Sequence, residues 1–221
     1  PNDGPTRAHC WFVVTSLSAA LDQTPVIGIL RSCPLQFVGA MATVAEEAGL
    51  TVLEITLDSA RPFETIKTLA EDHPGLLLGA GTVRSARDVV RAAEAQAQFV
   101  VSPHFDPDVI AAASEVGIPS VPGAATPTEI CRAMAAGAEL VKVFPARELG
   151  GPAYVKAILG PLGRPALLPT GGVDVTNAAA FLEAGSAAIG VGGGIFPAGA
   201  LESGDVTEVE RLCRQLFAAI R

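Results

Sequence analysis

The stretch LVKVFPA, residues 140–146, reads as a short buried strand with a lysine at its centre. In a pleated strand Val141 and Val143 fall on one side, and Lys142 and Phe144 on the other. If the valines pack against helices, Lys142 faces inward, where an isolated ammonium is costly enough to shift its pKa. Seven more short apolar runs are spaced along the chain: VIGIL (26–30), VLEITL (52–57), LLLGAGTV (76–83), FVVSP (99–103), IPSVPGA (118–124), ALLPTGG (166–172) and AAIGVGGG (187–194). Each is often β-branched and ends in Gly, Pro, Ser, Thr or a charge, the pattern of strands buried on both faces.

Ala-rich amphipathic stretches with helix-start signals lie between the runs. In TPTE (126–129), Thr126 is a cap, Pro127 takes the first helical position and Glu129 completes a capping box. Asp106 followed by Pro107 repeats the cap-then-proline pattern, and Ser85 and Asp174 are expected to cap the helices after the third and seventh runs. Glycines in AGL, VGI, AGAEL and AGS separate helices from the strands that follow. Eight strands alternating with helices predict an α/β chain folded as a (β/α)8 TIM barrel, the alternative being an open doubly wound sheet. Even spacing without a linker favours the closed barrel. A further N-terminal helix is expected at about 15–23 and a last helix at about 205–220. Residues 1–14 are expected to be a loose leader and 15–221 a single domain.

The composition narrows the function. The 221 residues are 49% hydrophobic and 17% charged, which is a globular composition. A formal net charge of -8 argues against nucleic-acid binding, which depends on Lys and Arg neutralising phosphates. Cys10, Cys33, Cys131 and Cys213 are scattered, with no CxxC spacing, and fit reduced thiols of a cytoplasmic protein. His9, His73 and His104 are far apart, so a His-rich metal site is not expected. No run of about 18 apolar residues predicts a membrane span, and WFVV (11–14) is too short for a signal-peptide core.

In a barrel, function gathers at the C-terminal ends of the strands. Those ends carry Arg31, Glu54, Thr56, Thr82, Pro103 and Lys142, then Thr170 with Gly171 and Gly172, and finally Gly192, Gly193 and Gly194. Of the three lysines, Lys67 and Lys156 fall on helices and only Lys142 lies in a strand. Desolvation and a nearby cation would lower its pKa and leave a nucleophilic amine. The plainer alternative is a structural ion pair with Glu54. Glu54 lies on the opposite face of its strand from Leu53 and Ile55, shares its face with Thr56, and suits a proton shuttle beside the amine. Lysine and glutamate on separate strands fit Schiff-base chemistry on a keto acid. The glycine turns after the seventh and eighth runs occupy the usual phosphate position, where exposed N–H groups favour an anion.

VLEITL, GAGTV, SP, VPG, VKVFPA and PTGGV, in this order and spacing, resemble the 2-keto-3-deoxy-6-phosphogluconate and 2-keto-3-deoxy-6-phosphogalactonate aldolase family across about residues 25–197. The resemblance implies a metal-free class I aldolase with no cofactor, commonly a homotrimer, acting on a small keto acid. It puts Lys142 on the Schiff-base lysine, Glu54 on the proton-shuttling glutamate and Thr82 near the pyruvyl carboxylate. Gly171 and Gly172 fall on phosphate-loop glycines, and Arg31 matches an arginine that holds anionic groups. The remaining strand-end residues, with Phe144, are expected as substrate contacts.

Two departures from the pattern bear on the substrate. Gluconate-type members continue E-x-T-L with arginine, where this chain has Asp58 followed by Ser59, closer to the Asn-Ser of galactonate-type members. An acid here helps only by pointing away or by reading a hydroxyl. The turn after the last strand usually supplies a serine to the phosphate, and here it is all glycine. A hydroxyl added at Gly194 is the expected remedy. The implied reaction is cleavage of a 2-keto-3-deoxy-6-phospho-hexonate to pyruvate and glyceraldehyde 3-phosphate. Cleavage of 4-hydroxy-2-oxoglutarate, or of another unphosphorylated 4-hydroxy-2-keto acid, is the close alternative. A non-catalytic sugar-phosphate-binding barrel is the alternative of another class.

Overall fold

The computed structural model describes residues 16–221; the leader expected at 1–14 lies outside them. The strands are β1 (Val26–Leu30), β2 (Val52–Thr56), β3 (Leu77–Gly81), β4 (Phe99–Val101), β5 (Ser120–Val121), β6 (Gly123–Ala124), β7 (Val141–Val143), β8 (Leu167–Pro169) and β9 (Ile189–Val191). The helices are α1 (Leu17–Gln23), α2 (Leu35–Glu47), α3 (Pro62–Asp72), α4 (Ala86–Glu94), α5 (Pro107–Val116), α6 (Pro127–Ala135), α7 (Gly151–Leu159), α8 (Ala178–Glu183), α9 (Ala198–Ser203) and α10 (Val206–Ala219).

All strand pairs are parallel. They form a six-stranded sheet in the order β5-β4-β3-β2-β1-β9 and a three-stranded sheet β6-β7-β8. The run read as one fifth strand is broken at Pro122, which has no N–H to give a ladder. Before the proline the chain pairs with β4. After it the chain pairs with β7, and the Pro122 carbonyl accepts the Lys142 N–H at 2.9 Å. A single parallel bridge, Thr170 to Gly190, links the end of β8 to β9.

Side-chain alternation sorts the core into two clusters. Leu53, Ile55, Leu78, Ala80, Val100, Val141, Val143, Ile189 and Val191 pack with the helices. The alternate positions Ile27, Val52, Leu77, Phe99, Val101, Val121, Leu140, Leu168 and Ala188 pack together on the other face with Leu17, Ala20 and Leu21 of α1. Leu140 shares its side of β7 with Lys142, so the lysine faces the inner cluster and the valines face the helices. Each fully buried apolar side chain contributes about 1.5–3 kcal/mol, which offsets the cost of holding polar groups among them.

The helix starts follow the local chemistry. The Thr126–Glu129 capping box is complete, and Ser85 and Asp106 cap α4 and α5 through their side chains. Asp174 is the exception. Its Oδ1 accepts from Thr176 N at 2.9 Å and from Thr176 Oγ1 at 2.5 Å, closing a turn, and α8 begins later, after Asn177.

Candidate active site

Glu54 and Lys142 are buried on the inner face, 1% and 6% exposed. The carboxyl of Glu54 lies directly over Gly81 of β3, where any Cβ would stand 2.8 Å from its carboxyl carbon. Lys142 pairs in register with Gly123, a glycine against which the Pro103–His104 backbone closes tightly. Neither oxygen of Glu54 has a hydrogen-bond partner, so the structural ion pair with Lys142 does not form. Burial pushes the Glu54 carboxyl above the usual carboxylate range, against the opposing pull of Lys142 and Arg31. Burial holds the Lys142 ammonium below the usual lysine range, and Arg31 acts in the same direction while Glu54 opposes it. The site therefore holds an amine inclined to lose its proton and a carboxyl inclined to keep one. Phe144, 37% exposed at the rim, has its ring 5.1 Å from Lys142 Nζ. Lys67 and Lys156 are exposed on α3 and α7.

On the β1–β3 side, Arg31 ion-pairs through Nη1 with Asp58 Oδ2 and donates from Nη2 to Thr82 Oγ1 at 3.1 Å. Asp58 thus has a partner within the protein: it grips Arg31. The next residues are joined too, with Ser32 N donating to Ser59 Oγ at 2.9 Å. Thr56 was expected to contact substrate. Like Glu54 it is buried, and its hydroxyl meets Ser59 Oγ at 3.0 Å. Thr170 is likewise buried, donating to Leu168 O at 3.3 Å and packing against Gly190, which has no side chain to obstruct it.

Gly171 (φ 92°) and Gly172 (φ 72°) turn in the left-handed region that glycine tolerates. Gly171 abuts the Phe144 ring, and Gly172 abuts the stem of Arg147, whose Nη2 reaches Asp174 Oδ2 at 3.4 Å. Gly194 sits against the backbone of that same turn: a Cβ would stand 2.5 Å from Val173 O and 2.8 Å from Asp174 Cα. The hydroxyl expected to fit at Gly194 has no room there. Gly193 is open, with nothing within 4 Å of an added Cβ and no left-handed φ. Gly192 lies beside Ile29 of β1, which ties the last turn to the Arg31 side. Among the described residues, no group of three or more His, Cys, Asp or Glu is gathered as a metal ligand set.

The family model for KDPG and KHG aldolase matches residues 17–212. The chain belongs to the KDPG and KHG aldolase family. It is 34% identical over 204 residues to the 2-dehydro-3-deoxy-phosphogluconate aldolase of Dickeya dadantii (strain 3937), covering 92% of this chain and 96% of that one. It is 37% identical over 188 residues to a probable 2-dehydro-3-deoxy-6-phosphogalactonate aldolase of Rhizobium meliloti (strain 1021), covering 84% and 88%. The KDPG aldolase of Legionella pneumophila, crystallised with pyruvate captured at low pH as a covalent carbinolamine intermediate, superposes with a TM-score of 0.82 at 28% identity, covering 90% of this chain and 97% of that one. The protein is therefore an aldolase, a carbon–carbon lyase.

Sequence reasoning missed Gly81, Gly123 and Gly190 as parts of this aldolase site. One of them carried a signal: Gly81 repeats with Gly79 at the strand period within LLLGAGTV, marking a face kept bare for neighbours. Asp58 was noticed as a departure, but its grip on Arg31 spans 27 residues and has no local signature.

Proposed function

We propose that this aldolase cleaves a 2-keto-3-deoxy-6-phospho-hexonate into pyruvate and glyceraldehyde 3-phosphate through a Schiff base on Lys142. The carrying observation is the buried pair: an amine held below its usual pKa beside a carboxyl held above its own, with no ion pair between them. The neutral amine adds to the C2 ketone; Glu54 gives its proton to the departing hydroxyl, so the carbinolamine loses water to give an iminium and Glu54 is left as a carboxylate. Glu54, acting directly or through water, takes the proton of the C4 hydroxyl. The C3–C4 bonding electrons move into the iminium, releasing the aldehyde and leaving an enamine. Glu54 returns its proton to C3, and hydrolysis frees pyruvate and the amine. Thr82, Arg31, Pro103 and Phe144 bound the keto-acid end, while Gly171, Gly172, Gly192 and Gly193 offer backbone N–H groups to the distal phosphate.

A second reading, cleavage of 4-hydroxy-2-oxoglutarate to pyruvate and glyoxylate, is favoured by one observation. The turn after β9 brings no side-chain hydroxyl to a phosphate and has no room for one at Gly194. We read residues 15–221 as one domain and the two sheets as one closed eight-stranded barrel with α1 against its inner cluster. The support is the Pro122 junction between β5 and β6 and the Thr170–Gly190 bridge. By family resemblance the aldolase is a homotrimer of carbohydrate metabolism. A cytoplasmic setting accords with the free thiols Cys33, Cys131 and Cys213.

Borohydride reduction in the presence of pyruvate tests the chemistry. Peptide mass analysis should find the reduced pyruvyl adduct on Lys142. Unmodified Lys142 in an otherwise folded protein would leave a non-catalytic binding barrel. A comparison of kcat/KM for the phospho-hexonate and 4-hydroxy-2-oxoglutarate separates the two substrates.

A further inference from the structure

The Arg31–Asp58–Thr82 relay crosses three neighbouring strands. Arg31 follows β1, Asp58 follows β2 and Thr82 follows β3, and the sheet order places β2 between the other two. The guanidinium therefore extends over the end of the glutamate's own strand to reach the loop beyond. It is held at both ends of its fork, by Asp58 on Nη1 and by Thr82 on Nη2. A second contact repeats the grip one residue on, Ser32 N to Ser59 Oγ, so the dipeptide Asp58–Ser59 clasps the dipeptide Arg31–Ser32. The backbone is shaped for this. Ser32 (φ 54°) and Thr82 (φ 59°) both occupy the left-handed region, which is costly for a β-branched threonine and persists only where surrounding structure imposes it.

We infer that Asp58 is a positioning residue that docks Arg31 onto Thr82, committing the guanidinium to the carboxylate beside the reacting ketone and withholding it from the distal end of the substrate. This rests on the aldolase reading above. The direction of reach carries the argument. Docked as it is, Arg31 reaches across β2, the strand that bears Glu54, toward β3, whereas β9 flanks β1 on the opposite side. A keto acid whose C2 meets Lys142 has its C1 carboxylate one bond away, so that carboxylate is the anion a guanidinium near both reacting groups meets. Two of the five guanidinium donors are engaged by Asp58 and Thr82, and the remaining ones are available to it. The electrostatics agree, since Arg31 lowers the pKa of both Glu54 and Lys142.

The test is a double-mutant cycle in the full chain, reading the pyruvate concentration that half-saturates borohydride trapping on Lys142. Asp58→Asn and Arg31→Gln should each raise it roughly tenfold, and the double variant should rise no further than Arg31→Gln alone. The limiting rate of trapping should be affected far less than the half-saturation. Acetone, which has no carboxylate, should show no change in half-saturation with Asp58→Asn. Additive effects in the cycle, or equal effects on acetone and pyruvate, would overturn the positioning role while leaving the aldolase reading intact. So would a loss confined to the limiting rate, which would mean that Asp58 acts on Glu54 instead. Failure of the native protein to trap pyruvate at all would overturn the aldolase reading, and this inference with it.

Discussion

Replacing Gly81 with alanine adds one methyl group at the spot where the Glu54 carboxyl lies. The new Cβ would stand 2.8 Å from the Glu54 carboxyl carbon and closer still to Oε1. Ordinary contact begins at 3.4 Å, so the carboxyl carbon must retreat by about 0.6 Å and the oxygen by more. Gly81 lies in a strand without a left-handed φ, so the backbone accepts alanine, and exchanging a strand glycine for alanine returns about 0.5–1 kcal/mol of stability. The displacement therefore falls on proton transfer and not on the fold. A misplacement on the order of 1 Å costs about 10²-fold in rate. Complete loss of the acid–base group sets a ceiling of about 10²- to 10⁴-fold. The expected outcome is a fall in kcat of about 10²-fold with little change in Tm. Gly79→Ala is the control, because its methyl would meet the Phe99 ring at 2.5 Å, deep in the inner cluster. Overpacking there costs about 1–3 kcal/mol and should lower Tm while sparing kcat per folded molecule. Steady-state aldol cleavage and thermal unfolding of the two variants read out the contrast. Wild-type kcat in Gly81→Ala would refute the placement of Glu54 as the proton shuttle.

Glu54→Gln should keep the shape, lower turnover by about 10²- to 10⁴-fold and still trap pyruvate slowly. It should also be more stable than wild type at neutral pH. The folded carboxyl holds its proton above the unfolded value of 4.5, so wild-type stability falls as pH rises through the window above 4.5, and the glutamine variant lacks that fall. Thermal unfolding at acid and neutral pH checks it, and equal gains at both would contradict the raised pKa. Trapping at low pyruvate should rise with pH to a midpoint below the ordinary lysine value of 10.5, and Lys142→Arg should trap nothing, because guanidinium stays protonated. A midpoint at or above 10.5 would count against the buried amine. Gly193→Ser should increase the preference for a phosphorylated substrate in kcat/KM, since a hydrogen bond to a charged group contributes about 1.5–3 kcal/mol. Gly194→Ser should lower Tm instead, because its Cβ meets backbone at 2.5 Å. The opposite pattern would move the hydroxyl position to Gly194.

Much of this was decided locally and so was legible in the sequence. Strand alternation alone put Lys142 opposite its flanking valines, and the capping box at Thr126, the cap at Ser85 and the Asp106–Pro107 start depend on neighbours within four residues. Parallel strands separated by helices dictate which end of each strand carries the chemistry, so the strand-end residues were found together. What needed tertiary structure was every relation between loops. Asp174 reads as a helix cap by type, yet a threonine two residues on claims its oxygen and a distant arginine claims the other. Asp58 reads as a charge misplaced near an anion until Arg31, 27 residues away, closes on it. Gly193 and Gly194 are identical in sequence, and only the Val173–Asp174 backbone packed against one of them tells them apart. The physical reason is the same in each case. Propensity and alternation act through the chain's own bonds, whereas the reach of a side chain or the room for a methyl depends on atoms brought near by folding.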